Sequence, residues 1–164
     1  MTTDVKRNNW SRYLKRFNES NRFRRANVTV RRKGNKVTVL QTDTSLLGLV
    51  LTRKGRVIDG IALFTAHWDP QQLNEPVVAI TGLVGIRQEK DAGGTITGVR
   101  MEASDGSVVT LELTGAAASE RPRELVEKIA YTMYEQRGAA HGRDLDDWIE
   151  AERTIDHIER SLVG

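Results

Sequence analysis

Apolar residues follow two different rhythms along the chain, and each change of rhythm predicts where one kind of element gives way to another. Trp10, Tyr13, Leu14 and Phe17 recur at i, i+3, i+4 and i+7, the spacing of one helical face. Asn8 or Asn9 is placed to cap that helix, Asn18–Asn21 weakens its end, and Phe23 is expected to tuck back as an anchor. From Asn27 the period becomes two. Val28 and Val30 alternate with Asn27, Thr29 and Arg31, which predicts a strand over Asn27–Arg32. Gly34-Asn35 then turns the chain into a returning strand, Lys36–Thr42, carrying Val37 and Val39. Further strands are predicted at Leu46–Thr52, Arg56–Phe64, Val77–Arg87, Thr95–Ala103 and Ser107–Thr114. Turns at Lys54-Gly55, Asp91–Gly94 and Ser104-Asp105-Gly106 separate them, and Gly82 and Gly85 read as a bulge or bend inside one strand. Strands joined by such short turns predict an antiparallel sheet of about seven strands, curled into a barrel or small sandwich.

The helical period returns after Gly115. Ser119 is the expected N-cap of a helix with Glu120 and Pro122 in its first turn. Leu125, Val126, Ile129, Met133 and Tyr134 form its apolar face, and Gly138 ends it. Asp144 is the expected cap of a second helix, whose stripe of Leu145, Trp148, Ile155, Ile158 and Leu162 is expected to be buried. The short connection Ala139–Arg143 forces the two helices antiparallel. The fold class is therefore α+β: an N-terminal helix on an antiparallel barrel-like or sandwich-like sheet, then a C-terminal helical hairpin. Residues 1–115 and 119–164 are the expected units.

Charge divides the chain into three zones that the net value of +3 conceals. Residues 1–34 hold eleven Lys/Arg against two acids, a net of +9. Residues 35–118 hold seven against nine, net −2, and residues 119–164 hold seven against eleven, net −4. A basic head and an acidic tail can attract each other within one chain or between two. The head offers a phosphate-facing surface built from Arg12, Lys15, Arg16, Arg22, Arg24, Arg25, Arg31, Arg32 and Lys33. The plainer account is a helix that packs its aromatics on the sheet and solvates its charges.

Composition closes several routes. The chain has no Cys, which removes disulfide scaffolds, thiolate metal sites, iron–sulfur clusters and cysteine nucleophiles, and fits a reducing compartment. No apolar run approaches a bilayer span and the N-terminus lacks a signal-like apolar region, so a cytoplasmic protein without membrane contact is expected. Only His67, His141 and His157 are present, and His67-Trp68-Asp69 has no third metal ligand nearby. Ser45, Ser104 and Ser107 lie in turn contexts unlike a nucleophile elbow, and Gly93-Gly94 precedes a strand, which is not a phosphate loop. The acids of the second tail helix spiral round it without converging. No catalytic residue, cofactor or metal site is predicted.

The tail carries the most specific pattern. Ile129-Ala-Tyr-Thr-Met-Tyr-Glu-Gln-Arg-Gly138, followed by Gly142-Arg-Asp-Leu-Asp-Asp-Trp-Ile-Glu-Ala-Glu152, resembles the bacterial domain of unknown function family 2934. Residues 8–115, an aromatic-spaced helix followed by a β-meander, are similar to the bacterial family of unknown function 5335. Neither resemblance implies an activity; both imply architecture and a bacterial origin. Tyr131 and Tyr134 share a helix side that Trp148 of the returning helix can meet, and Ala151 permits close approach. Arg137 is placed to reach Asp147 or Glu152 across the hairpin.

Three functions are compatible with these readings. The first is a non-catalytic binding or adaptor protein, in which the hairpin residues Tyr131, Tyr134, Arg137, Asp144, Asp147, Trp148 and Glu152 dock a protein partner or a second copy. The second is nucleic-acid binding through the basic head, with base stacking if Trp10, Tyr13 and Phe23 are exposed. The third is a small-ligand site at a barrel mouth near Thr65–Asn74.

Overall fold

The computed structural model describes residues 1–67, 69–117, 122–139 and 141–163. Among them, eight strands form one antiparallel sheet: β1 (Thr2–Val5), β2 (Arg25–Arg31), β3 (Val37–Lys54), β4 (Val57–Thr65), β5 (Val78–Thr81), β6 (Leu83–Lys90), β7 (Ile96–Ala103) and β8 (Val108–Thr114). Their spatial order is β1-β6-β7-β8-β2-β3-β4-β5. A long helix, α1 (Trp10–Asn21), follows β1, and a short one, α2 (Pro70–Leu73), links β4 to β5. The C-terminal pair is α3 (Arg123–Gln136) and α4 (Asp144–Val163). The class is α+β, with the sheet curled but open: β1 and β5 are its two ends.

Strand β3 makes the curl. Its first half pairs with β2 (Val37 opposite Arg31, Arg25 opposite Ser45), and its second half pairs with β4 from Leu46 opposite Thr65 to Lys54 opposite Val57. Register shifts interrupt both ladders, and Asp43 takes a φ of +49° just before the change of partner. Bulges of this kind bend a strand and increase its twist. The two strands expected at Lys36–Thr42 and Leu46–Thr52 are thus one bent strand. Conversely, the stretch expected as one strand over Val77–Arg87 is broken at Gly82, whose φ is +68° and whose missing Cβ would sit 2.5 Å from the Ser104 hydroxyl. β1, not foreseen, completes the set.

The curled sheet closes over α1. Trp10, Leu14 and Phe17 enter a core built with Val28 and Val30 of β2, Leu46 and Leu49 of β3, and residues of β4 to β8. Asn18 and Asn21, read as helix-weakening, are buried structural residues. Asn9 occupies the cap position without a side-chain cap bond. A second core lies on the other side of β3 and β4: Phe23, Leu47 and Leu73 pack with Leu125, Val126 and Ile129 of α3 and Ala151, Ile155 and Ile158 of α4. Leu46 and Leu47 point to opposite faces, as the pleat dictates. Being covered by α1 on one side and the hairpin on the other explains why Leu46–Leu51 is a near-continuous aliphatic run and not an alternating one. Val37 and Val39, beyond this cover, are exposed. No helix of the described residues is long and apolar enough to cross a membrane.

Candidate docking cleft on the helical hairpin

The hairpin is defined by its turn. Gly138 adopts a φ of +79°, and Ala139 donates its N–H to the Tyr134 carbonyl at 3.0 Å, closing α3 in a left-handed cap that favours glycine. At its start, Pro122 holds the cap position without a side-chain bond; the expected cap at Ser119 and its neighbour Glu120 lie outside the described residues. α4 begins one residue earlier in function than expected. The N–H of Asp147 donates to the Arg143 carbonyl at 2.9 Å, so Arg143 is in the capping position and Asp144 is the first helical residue. Asp144, Asp146 and Asp147 then stand in the first turn, where the helix dipole favours negative charge.

Across this turn the Arg137 guanidinium donates to the Asp147 carboxylate, which is buried. Ala151 is fully buried at the crossing of the two helices. Trp148 is half-buried; its indole N–H donates to Glu152 Oε1 at 3.1 Å, and the Arg123 guanidinium lies 5.8 Å from its ring centroid. Tyr131 and Tyr134 are 6.0 Å apart, and Tyr134 contacts the His141 ring at 5.7 Å. Trp148 does not complete a stack of three; it faces the tyrosines across a cleft. That cleft has a volume of about 380 Å³ and is lined by the two tyrosines, Trp148, Ala130, His141, Glu127, Asp144 and Asp147. It meets a second groove of about 800 Å³ at Glu127 and Tyr131, where His67, Asp69 and Gln72 face Lys128, Thr132 and Glu135. The Tyr131 hydroxyl donates to Glu135, which raises the pKa of the tyrosine.

Leu145 corrects the expected stripe. It is 71% exposed, and Ile149, four residues on, is 38% exposed. Leu145 lies roughly 120° around the helix from Ala151 at about 100° per residue, so it points away from the core. The hairpin therefore presents Tyr131, Leu145 and Ile149 to solvent.

The basic head is dispersed. Arg12, Lys15 and Arg16 are exposed on α1, and Arg31, Arg32 and Lys33 are exposed at the β2–β3 turn. Arg25 is tied to Asp43 at 2.8 Å, and Arg22 approaches Glu159 of α4 at 3.8 Å, so head and tail touch within one chain. Arg24 does not belong to a phosphate surface. It is buried, and its guanidinium donates to the carbonyls of Gly115 (2.8 Å) and Ile96 (2.6 Å) and to Asn21 Oδ1 (2.9 Å). Desolvation lowers its pKa, partly offset by Asp91. Trp10, Phe17 and Phe23 are buried and have no face for a base to stack on. Tyr13 is half-buried with an unpartnered hydroxyl, and burial pushes its pKa up.

The sheet is open, so Thr65–Asn74 does not frame a barrel mouth; His67, Asp69 and Gln72 line the second groove instead. Asp69 caps α2 by accepting from the Gln71 N–H at 3.0 Å, and Leu73 is buried in the second core; Trp68 lies outside the described residues. His67 Nδ1 accepts from the Asp69 N–H at 2.9 Å, and His157 is exposed on α4. Among the described residues no group of three or more His, Asp or Glu is arranged to hold a metal.

Residues 123–157 match the family model described as Protein of unknown function (DUF2934). No curated protein matches the chain. The matched segment takes in all of α3, the turn and most of α4, and so every residue that lines the first cleft. Two residues lining that cleft, Glu127 and His141, escaped sequence reasoning, as did Arg123 beside Trp148. Glu127 is four residues from both Arg123 and Tyr131, a spacing that places them on one helix side. Arg123 is the first residue of that same side. His141 lies in the turn, and its ring contact with Tyr134 arises only from the way that turn folds.

Proposed function

We propose that the chain is a non-catalytic binding or adaptor protein whose curled sheet and α1 form a scaffold, and whose DUF2934 hairpin docks a protein partner or a second copy. The observation that supports this most is the cleft beside exposed Tyr131, on a hairpin that also leaves Leu145 and Ile149 in water. Large apolar side chains exposed on one element next to a concavity are a recurrent mark of interaction surfaces. The test compares wild type with a Tyr131→Ala/Leu145→Asp variant for protein capture and for molar mass by light scattering over a range of concentrations. The two residues are exposed, so the melting temperature should hold while capture or self-association falls. Capture and mass that are the same in both proteins contradict the reading.

A second reading is nucleic-acid binding by the head. It is supported by Arg12, Lys15, Arg16, Arg31, Arg32 and Lys33, which are exposed and form no ion pair among the described residues. With the rings inside, such binding would be electrostatic and largely indifferent to sequence. Anisotropy of labelled duplex and single strands at about 50 and about 200 mM salt decides it. Binding at the lower salt that collapses at the higher, and that Arg12→Gln/Lys15→Gln/Arg16→Gln weakens, favours the head; no binding at the lower salt removes it.

A further inference from the structure

We propose that the occupant of the hairpin trough is a basic peptide segment of a partner protein, with an arginine side chain seated between Tyr131, Tyr134 and Trp148. This rests on the docking reading above and names its chemistry. Aromatic faces carry a negative quadrupole and attract guanidinium groups, most strongly where water is partly excluded. Here the rings line one cleft together with Glu127 and Asp144, while the third carboxylate, Asp147, is already neutralised by Arg137. The adjoining groove adds Asp69 and Glu135, and Lys128, its one lining Lys or Arg among the described residues, is tied to Glu124 at 2.9 Å. Among the described residues lining the two recesses, an anion finds no Lys or Arg that is not already paired with a carboxylate.

A cation belonging to the chain itself already uses part of this arrangement. Arg123 places its guanidinium 5.8 Å from the Trp148 ring centroid and donates from Nε to Glu127 at 3.0 Å, yet its side chain remains 82% exposed. It engages one ring and one carboxylate from the rim, and it can swing out. An incoming arginine would gain the tyrosines as well. The size of the trough fits a peptide better than a small cation: the cleft of about 380 Å³ accepts a single side chain, and the groove of about 800 Å³ that continues from it gives the backbone and the next basic residue a path.

The test is calorimetric titration of the full chain with an arginine-rich peptide, with glutamate-rich and serine-rich peptides of equal length as controls, at about 50 mM salt. Saturable binding of the arginine-rich peptide alone is expected. Tyr131→Ala and Glu127→Gln, both at exposed positions, should each weaken it by about tenfold, within the range of one cation–π or charged contact. Arg123→Gln should tighten it by about threefold, because the rim cation no longer competes. Equal affinity in wild type and Tyr131→Ala overturns the proposal, as does weaker binding in Arg123→Gln. Binding of a control peptide that Tyr131→Ala abolishes would also overturn it, while leaving the docking reading intact. A dimer that dissociates in Arg12→Gln/Lys15→Gln/Arg16→Gln, without peptide binding, would replace the partner by a second copy.

Discussion

The guanidinium of Arg137, the last residue before the glycine of the hairpin turn, holds the carboxylate of Asp147 in the first turn of α4. The pair ties the end of one helix to the start of the next, and its Asp147 lines the cleft. Removing Arg137 would leave a buried carboxylate without its partner. Arg137→Ala should cost on the order of 2–4 kcal/mol, below the full buried-pair range because the arginine is partly exposed. Arg137→Lys should recover part of that loss, and thermal or denaturant melts read the difference. Equal melts for Arg137→Ala and wild type would remove the pair from any structural role.

Asn18 serves β3 as a substitute strand. Its Nδ2 donates to the Leu49 carbonyl at 2.9 Å, and its Oδ1 accepts the Leu49 N–H at 2.8 Å, in the buried interface between α1 and the sheet. Asn18→Ala strands a donor and an acceptor of the backbone, and should destabilise by about 2–4 kcal/mol. Asn18→Leu, though apolar and similar in size, should not restore it. Gly48→Ala should also destabilise, since the new Cβ would lie 3.0 Å from Asn18 Oδ1. Chemical denaturation of the three variants checks the set; a Leu variant as stable as wild type would contradict it.

Arg24 and its neighbours separate structure from surface charge. Arg24→Gln breaks bonds to Gly115, Ile96 and Asn21 and should cost about 2–4 kcal/mol, whereas Arg22→Gln and Arg25→Gln, at exposed or half-exposed pairs, should each stay within about 1 kcal/mol. Melting temperatures of the single variants give the order directly. If Arg25→Gln proves the costlier change, the assignment of Arg24 as a structural cation fails.

Three exposed carboxylates contribute in the same direction to the acid limb of stability. Asp43 is held below the ordinary range by its bond from Arg25, Asp105 by the N–H of Ser107, and Glu124 by Lys128. A carboxyl whose folded pKa lies below its unfolded value contributes stability that is present above the unfolded value, near 4, and is lost as pH falls through the folded one. Asp43→Asn/Asp105→Asn should therefore melt lower than wild type at neutral pH, and the gap should close as pH falls toward about 3. Melts across that range check the sign; a gap that widens in acid would reverse it.

Local physics made some of this fold legible and hid the rest. The spacing of Trp10, Leu14 and Phe17 reveals the buried face of α1, and Gly34-Asn35 and Ser104-Asp105-Gly106 mark turns because positive φ is cheap there. β1 escaped because Thr2–Val5 has no pattern of its own; pairing with β6, with Asp4 opposite Arg87, makes it a strand. The polar run Gln41–Ser45 resembled a break, yet its neighbours on β2 and the bulges carry the chain through. Arg24 resembled a surface charge because two of its acceptors, at Ile96 and Gly115, are remote in sequence. In the cleft, the Tyr131–Tyr134 spacing and the Arg137–Asp147 reach could be read along the helices. The roles of Glu127 and His141 depend on how the hairpin closes.

The most direct test of the hairpin as the binding surface is a map of backbone and indole N–H resonances in isotope-labelled full-length protein, recorded as the arginine-rich peptide is added. The account predicts shifts that saturate together at the Trp148 indole N–H and at the backbone of residues 127–134 and 144–148. Shifts confined to acidic positions of the sheet and its turns, such as Glu89, Asp105 or Glu112, or no saturating shifts at all, would contradict it.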